Sequence, residues 1–193
     1  MDLKDKHIIL GSNSPRRKEL LKGLNIDFEV DTGNEFEEKF SPDTPVDKIP
    51  ELMSVGKSHG FHRSLADNEI LITSDTLVLC EGNVMGKPHS REEAVKMLTM
   101  LSGKEHKVIT AVTIRDKEHE ITESDTAFVH FKELNQEEIH WYIDNCKPFD
   151  KAGAYGIQEW IGYIGIDWIK GSFFTIMGLP VHLVYKMLND FIV

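Results

Sequence analysis

Short apolar runs and helix-spaced apolar positions alternate along the first part of the chain. His7 to Leu10 predicts a buried strand, which the polar segment Gly11-Ser12-Asn13 follows. Ser14 and Pro15 are typical of a helix N-cap and of a first helical turn, so they predict a helix directly after that segment. Ile26 to Val30 alternates between apolar and polar residues, as a half-buried strand does. The pattern therefore predicts strand, helix and strand in succession.

A polar pair divides the next apolar region. Thr44-Pro45 marks the start of a helix that should run past Lys57. Further on, Glu69 to Thr73 and Leu77 to Cys80 predict two strands, and Asp75-Thr76 lies between them. We therefore expect Asp75 at a strand end, where α/β proteins often carry a catalytic carboxylate. Aspartates that only form a turn are also common at such positions.

The second half of the chain has the clearest helix starts. Ser90 with Glu93, and Asn135 with Glu138, have the pattern of a capping box. The remaining predicted elements are strands at Val108 to Ile114, Ile121 to Phe131 and roughly Ile164 to Trp168, and a final helix after Pro180. This alternation of strands and helices predicts the α/β class. The sequence has no visible repeat or linker, so we expect a single domain over residues 1–193.

Composition and charge limit the classes of partner. The chain has 193 residues, of which 40% are hydrophobic, so it can bury a full core. It has no apolar run of about 18 residues, and Met1 to Lys6 lacks the apolar stretch of a secretory signal, so we expect a cytoplasmic protein with no membrane partner. The formal net charge of -10 opposes binding to a nucleic acid polymer. A small phosphorylated ligand is compatible with this charge if local cations and a carboxylate-held metal neutralise it.

The segment from Ser12 to Arg17 has the chemistry of a phosphate-binding loop. It brings hydroxyls, backbone N–H groups and the guanidinium groups of Arg16 and Arg17 to a helix start, where the helix dipole favours an anion. Two cations there are unfavourable by about 0.3–1 kcal/mol each, and a bound anion would remove this conflict. The alternative is that both arginines face solvent or pair with Glu19 or a distant carboxylate.

Other charged positions have two interpretations. Lys87 lies in the turn from Met85 to Pro88, where its ammonium could bind phosphate or simply face solvent. The acidic run from Glu35 to Glu38 is either a solvated loop or, beside Asp75, a source of the oxygen ligands that Mg²⁺ or Mn²⁺ prefers. Taken singly, neither feature identifies a site.

Several motifs occur together in one order. They are Leu10-Gly-Ser-Asn-Ser-Pro-Arg-Arg17, Ser74-Asp-Thr76, Gly86-Lys-Pro88, Leu101-Ser-Gly103, Asp150-Lys-Ala-Gly-Ala-Tyr-Gly-Ile-Gln158 and Gly178-Leu-Pro180. In this order the motifs resemble the Maf family of nucleoside triphosphate pyrophosphatases, and the resemblance covers nearly the whole chain. It implies an α/β fold with a mixed twisted sheet, flanking helices and two lobes around a central cleft, similar to Maf and ITPase proteins.

The resemblance also implies a reaction and the residues that carry it. A nucleoside triphosphate would be hydrolysed between its α- and β-phosphates to the monophosphate and pyrophosphate, assisted by a divalent metal cation, Mg²⁺ or Mn²⁺. By position, Asp75 matches the catalytic carboxylate and, with Glu38, the metal ligands. The matching substrate-binding positions are Ser12, Arg16, Arg17, Lys57, Thr76, Lys87, Lys151 and Gln158.

The expected base preference depends on three of these positions. Arg16, Thr76 and Gln158 are similar to the subgroup that acts on dTTP and UTP in a house-cleaning role, and a glutamine amide can pair with the imide edge of either base. We expect Arg17 to serve mainly the phosphates and Arg16 the choice of base. The alternatives are a pyrophosphatase of modified purine nucleotides and a nucleotide-binding regulatory module linked to cell division.

The sequence departs from the family pattern at three places. Glu159-Trp160 follows Gln158 where the family usually has glycine, and Ser58 and Ser74 stand where alanine is usual or common. The first departure bears on the predicted base pocket. Relatives in this family are often dimeric, so the resemblance also allows a homodimer.

Overall fold

The computed structural model describes residues 3–192, which divide into two compact units. The first unit comprises Met1–Asp75, Thr110–Asp125 and Gly178–Val193, and the second comprises Thr76–Ile109 and Thr126–Met177. Residues 1, 2 and 193, at the ends of the predicted single domain, lie outside the described residues. The predicted site residues up to Asp75 belong to the first unit, and those from Thr76 onward belong to the second.

Seven strands form a mixed sheet in the described part of the chain. They are β1 His7–Leu10, β2 Phe28–Val30, β3 Glu69–Cys80, β4 Asn83–Met85, β5 Glu105–Arg115, β6 Glu120–Phe131 and β7 Ile166–Lys170. Their order is β2-β1-β3-β5-β6-β7, and β4 pairs with β3 outside this path. β1 is parallel to β2 and β3, whereas β4 is antiparallel to β3, and β7 to β6. The predicted α/β class with a mixed sheet and flanking helices is confirmed.

Three of the helices begin where capping residues predict them. The helices are α1 Pro15–Gly23, α2 Ile49–His59, α3 Arg91–Leu101, α4 Gln136–Cys146, α5 Trp160–Gly165, α6 Phe173–Met177 and α7 Val181–Asn189, with 3₁₀ turns at Val46–Lys48 and Ala152–Ala154. Ser14 and Ser90 each accept a backbone N–H from the third residue that follows, as N-caps do. Asn135 and Glu138 form both halves of a capping box.

The strand prediction around Asp75 is wrong, because β3 is one continuous strand. β3 has partner strands before and after Asp75, and the strand order also places β5 beside it. The first part of β3 pairs with β1 as far as Ile72, and the last part pairs with β4 from Val78 onward. Thr73 and Ser74 are buried, so polar side chains interrupt the apolar pattern without ending the strand. Asp75 therefore lies inside a strand rather than at its end.

Two other boundaries differ from the predictions. α2 begins only after a 3₁₀ turn, with Pro50 in its first helical turn, where a missing N–H costs little. The strand expected from Ile164 begins at Ile166, because Trp160–Gly165 form α5 and bury Ile161. None of the helices in the described chain is long and apolar enough to cross a membrane.

Candidate active site

The predicted phosphate-binding loop joins β1 to α1 in the first unit. Ser12 is buried, and its Oγ accepts a hydrogen bond from the Ser14 N–H at 3.3 Å. Ser14 Oγ in turn accepts from the Arg17 N–H at 3.4 Å and so caps α1. The loop packs closely on β3, since a β-carbon on Gly11 would stand 3.0 Å from the methyl carbon of Thr73. The loop is thus held at a helix start, where backbone N–H groups and the dipole favour an anion.

Arg17 lies beside this loop and is held by two acceptors. Its Nε donates to the carbonyl oxygen of Gly178 at 2.8 Å, and its NH1 donates to Ser12 Oγ at 3.3 Å. Ser74 Oγ donates to the same carbonyl at 3.3 Å. Burial lowers the pKa of Arg17, and the nearby Asp75 carboxylate opposes this shift. A guanidinium stays charged in proteins, so the first unit contains a half-buried positive charge next to the loop.

Three further predicted residues of the first unit meet around one ammonium group. Lys57 Nζ lies 2.6 Å from Asp75 Oδ1 and 2.8 Å from Glu38 Oε1. The side chains of Lys57 and Asp75 are 21% and 18% exposed, whereas Glu38 is 62% exposed. We call these three residues the first cluster. Its two carboxylates outnumber its one ammonium, so the cluster is net negative and suits a further cation.

Ser58, which stands where the family usually has alanine, fixes the end of α2 that carries Lys57. Ser58 is fully buried, and its Oγ accepts from Arg115 Nε at 2.8 Å and donates to Glu120 Oε2 at 3.3 Å. Arg115 NH2 also donates to the Ser58 carbonyl at 2.8 Å. A cation that binds the last carbonyls of a helix satisfies groups that have no partner within the helix. Alanine at this position would lose the hydroxyl contacts.

Lys151 is held in the second unit by two other carboxylates. Its Nζ lies 2.7 Å from Asp150 Oδ1 and 2.9 Å from Glu159 Oε1, and its side chain is 9% exposed. The Tyr142 hydroxyl donates to Glu159 Oε2 and accepts the Gly156 N–H at 3.0 Å. Burial, and then the bond to the Glu159 carboxylate, raise the pKa of Tyr142, so its hydroxyl stays a neutral donor. We call these five residues the second cluster.

Of the other predicted positions of the second unit, Gln158 belongs to the same glycine-rich segment and Lys87 lies in a turn that is bonded to it. The Gly86 carbonyl accepts the Gly153 N–H at 3.0 Å, which ties the turn that contains Lys87 to this segment. Lys87 is exposed and Thr76 is half-exposed. Gln158 Oε1 is buried and has no hydrogen-bond partner among the described residues. Since buried polar atoms are nearly always paired, this oxygen is an acceptor that a ligand could satisfy.

Two contacts of the candidate site could not be derived from the sequence. Gly178 belongs to a recognised motif, yet nothing in that motif indicates that its carbonyl binds Arg17. Tyr142 lies on α4 in an ordinary helical pattern, so its own position does not mark it as part of the site. The one sequence feature that could have pointed to its contact is the acidic Glu159, where the family usually has glycine. Arg16 is half-buried on α1, and its predicted role in base choice stays a prediction.

The first cluster offers the oxygen atoms that a divalent cation needs. Among the described residues, no group of three or more histidine, cysteine or acidic side chains is placed to hold a metal ion. However, Glu38 and Asp75 already share one cation, the Lys57 ammonium. Mg²⁺ is commonly bound by one or two carboxylates and completes its shell with waters and substrate phosphates. The predicted pair of ligands therefore fits such a cation.

The fold and these side chains define an α/β protein with a helix start that is suited to an anion and with a lysine–carboxylate cluster. A family model described as Maf-like protein matches residues 7–191. The chain belongs to this family, and the resemblance seen in its motifs is confirmed. The solved structure of the Ham1 protein of Staphylococcus aureus has a similar fold, with a TM-score of 0.55 and 17% identity over 96% of this chain and 99% of that one.

Several relatives are similar over nearly their whole length. A dTTP/UTP pyrophosphatase of Parabacteroides distasonis is 47% identical and covers 98% of each chain. A protein of the same name from Bacteroides thetaiotaomicron is 48% identical and covers 96% of each chain. Such identity over almost complete chains extends the similarity through both units.

Proposed function

We propose that this protein is a nucleoside triphosphate pyrophosphatase that hydrolyses dTTP and UTP to the monophosphate and pyrophosphate. The observation that carries the proposal is the contact of Lys57 with Asp75 and Glu38, at 2.6 and 2.8 Å. The same unit contains the anion-binding loop that ends at Arg17. The relatives named dTTP/UTP pyrophosphatase, at 47% and 48% identity, support the same reaction.

The side chains of the first unit have separate tasks in this reaction. The oxygen of a water molecule bonds to a phosphorus of the α–β anhydride while the bridging phosphorus–oxygen bond breaks. Asp75 orients this water and accepts its proton. Arg17 and Lys57 stabilise the negative charge that develops on the phosphate oxygens. A divalent cation held by Glu38 and Asp75 would neutralise phosphate charge and polarise the bond that breaks.

Residues of the second unit keep their predicted roles in substrate binding. These residues are Thr76, Lys87, Lys151 and Gln158. The unpaired Oε1 of Gln158 is suited to accept the imide N–H of uracil or thymine, which supports the choice of a pyrimidine. In the first unit, we assign the choice of base to Arg16 and phosphate binding to Ser12 and Arg17.

Pyrophosphate release from a panel of nucleoside triphosphates, with Mg²⁺ or Mn²⁺, tests the function. We expect the highest kcat/KM for dTTP and UTP. Faster release from a methylated purine nucleotide would favour the purine alternative, and binding without release would favour the regulatory module. In the same panel, Arg16→Ala should change the ratio between nucleotides more than Arg17→Ala does. Equal effects of both variants on every nucleotide would contradict that division.

The wider setting of the protein is also a proposal. We infer a cytoplasmic location, a house-cleaning role and a homodimer, and we keep the expectation that residues 1–193 act as a single domain. Light scattering during gel filtration measures the oligomeric state directly. A monomer at micromolar concentration would contradict the homodimer without affecting the proposed reaction.

A further inference from the structure

The segment that leads to Glu38 is fastened to the C-terminal part of α2. Asn34 Nδ2 donates to the carbonyl oxygen of Lys57 at 2.5 Å, and the Glu35 N–H donates to the carbonyl of Gly60 at 2.8 Å. Asn34 Oδ1 accepts the Phe36 N–H at 2.7 Å. These bonds bring the segment alongside the helical turn that carries the lysine of the first cluster.

Phe36 occupies a notch formed by two glycines. A β-carbon on Gly56 would fall on the Phe36 ring, and one on Gly60 would stand 2.6 Å from Phe36 Cβ. Positions four apart lie on the same helix face, so both glycines open one side of α2 to the ring. We call this the two-glycine notch.

Neither glycine of the notch is required by the backbone. Gly56 lies in the interior of α2, where alanine would favour the helix more than glycine does. Gly60 is the C-cap of α2 with a φ of -78°, a conformation that any residue can adopt. At both positions, therefore, the structure explains the glycine by the space that Phe36 needs.

Phe36 is the last half-buried residue before Glu38. Residues 37–43 are all exposed, and Glu38 follows Phe36 by two positions. We propose that Phe36 is a positioning residue: seated in the two-glycine notch, it holds Glu38 against the Lys57 ammonium. The proposal rests on the proposed function in one respect, namely that Glu38 takes part in the reaction. Loss of the ring would let the exposed segment carry Glu38 away from the cluster.

Substitutions in the notch test this role, with matched controls elsewhere. The test variants are Gly56→Ala, Phe36→Ala and the double variant. Gly23→Ala is the glycine control, because a β-carbon there would meet no described atom within 4 Å, and Phe40→Ala is the aromatic control, because Phe40 is 47% exposed. The measurements are kcat/KM for dTTP, the metal concentration for half-maximal rate, and the rate of cleavage at residues 37–39 by proteases specific for glutamate or lysine.

Each test variant should impair the site and loosen the segment. We expect kcat/KM to fall about 10- to 100-fold, the level that a misplaced group causes, together with a higher metal requirement and faster cleavage. The double variant should match Phe36→Ala alone, because the alanine of Gly56→Ala no longer meets a ring. Phe36→Leu, which refills part of the notch, should recover part of the activity. Both controls should stay within about twofold of the unchanged protein.

Three results would overturn the proposal. They are unchanged kinetics and cleavage in Gly56→Ala, additive losses in the double variant, and no recovery in a folded Phe36→Leu protein. Melting temperatures identify variants that fail to fold. If Phe36→Ala fails to fold, the kinetics and cleavage rate of Phe36→Leu decide whether the proposal stands. If the unchanged protein releases no pyrophosphate from any nucleotide, the proposed function fails, whereas the cleavage rates still show whether Phe36 holds the segment.

Discussion

Each unit holds a lysine between two carboxylates, but the two clusters are fixed differently. In the first cluster, Lys57 is 21% exposed and its partner Glu38 is 62% exposed, on a segment that is itself exposed. In the second cluster, Lys151 is 9% exposed and its partner Glu159 is 23% exposed. Glu159 also accepts a hydrogen bond from Tyr142, so a buried neutral group fixes that carboxylate.

The two clusters differ in whether the lysine can exchange its carboxylate partner for another group. An exposed ion pair is worth about 0–1 kcal/mol, so Glu38 can exchange its lysine for another cation at little cost. Separating Lys151 from Glu159 would leave a buried ammonium with only the exposed Asp150 carboxylate as a charged partner, which is costly. We infer that the contacts that change during a reaction cycle belong to the first cluster. The second cluster acts as a fixed part of the segment that contains Gln158.

The largest effect should come from removing the negative charge of Asp75. Asp75→Asn keeps the size of the side chain but removes the proton acceptor and one charged partner of Lys57. We expect kcat for dTTP to fall by about 10³-fold or more, which is about 4 kcal/mol of activation free energy. Pyrophosphate release at saturating dTTP measures this loss.

A surface aspartate of the same unit provides the control for this substitution. Asp67 is 87% exposed and pairs with Lys117, so Asp67→Asn should leave kcat unchanged. Near-normal pyrophosphate release by Asp75→Asn would refute the catalytic role of the first cluster. It would also remove the functional distinction between the two clusters.

Local patterns account for what the sequence predicted well. The N-caps Ser14 and Asn135 bond to backbone N–H groups a few positions away, so each complete interaction lies within one short segment. The same is true of β1, whose apolar run coincides with His7–Leu10. The ordered motifs identified the family because their residues can be compared one by one.

Contacts between distant segments explain what the sequence did not reveal. The polarity of its own residues does not reveal that β3 continues through Asp75, because its neighbours β1 and β5 come from other parts of the chain. The bond from Arg17 to Gly178 joins positions 161 apart, and neither residue type indicates the other. The notch for Phe36 likewise depends on two glycines, and the only property that the sequence shows for them is a low helix propensity.

A buried histidine of the second unit extends the comparison to pH. His106 is 2% exposed, its Nε2 lies 2.6 Å from the Tyr155 hydroxyl, and its ring stacks on Phe131. Burial, with a smaller effect of His130, lowers the pKa of His106 to about 3. In the unfolded chain the value is about 6.5, so between about pH 6.5 and 3 the unfolded state binds one more proton. The free energy of unfolding should therefore fall as the pH is lowered, by about 1.4 kcal/mol per pH unit from this group.

Urea unfolding near pH 7, 6 and 5 isolates this contribution. Below about pH 6.5, His106→Gln should reduce the slope of the free energy of unfolding against pH by about 1.4 kcal/mol per pH unit, whatever the protein's other groups contribute. The slope in His106→Gln is compared with that in His89→Gln, a substitution at an exposed histidine of the same unit. An unchanged slope in His106→Gln would mean that His106 gains its proton in the folded protein. The second unit would then lack the buried neutral imidazole beside Tyr155.

The smallest effect should come from a substitution of Glu159. The direction in which KM changes decides whether the second cluster is fixed. Glu159→Gln can still bond to Tyr142 but loses the charge that holds Lys151. If Glu159 positions Lys151 for substrate, the loss of one charge-assisted hydrogen bond should raise KM for dTTP about tenfold, with a smaller change in kcat. Steady-state kinetics of pyrophosphate release measure both constants.

Asp150→Asn is the matched control, because it removes the other carboxylate of Lys151 and this one is 53% exposed. We expect KM to change less than about threefold in this variant, as for other exposed ion pairs. A lower KM in Glu159→Gln would instead mean that Glu159 competes with substrate for Lys151. The second cluster would then exchange partners as the first one does, and the two units would differ in burial but not in the way they use a lysine.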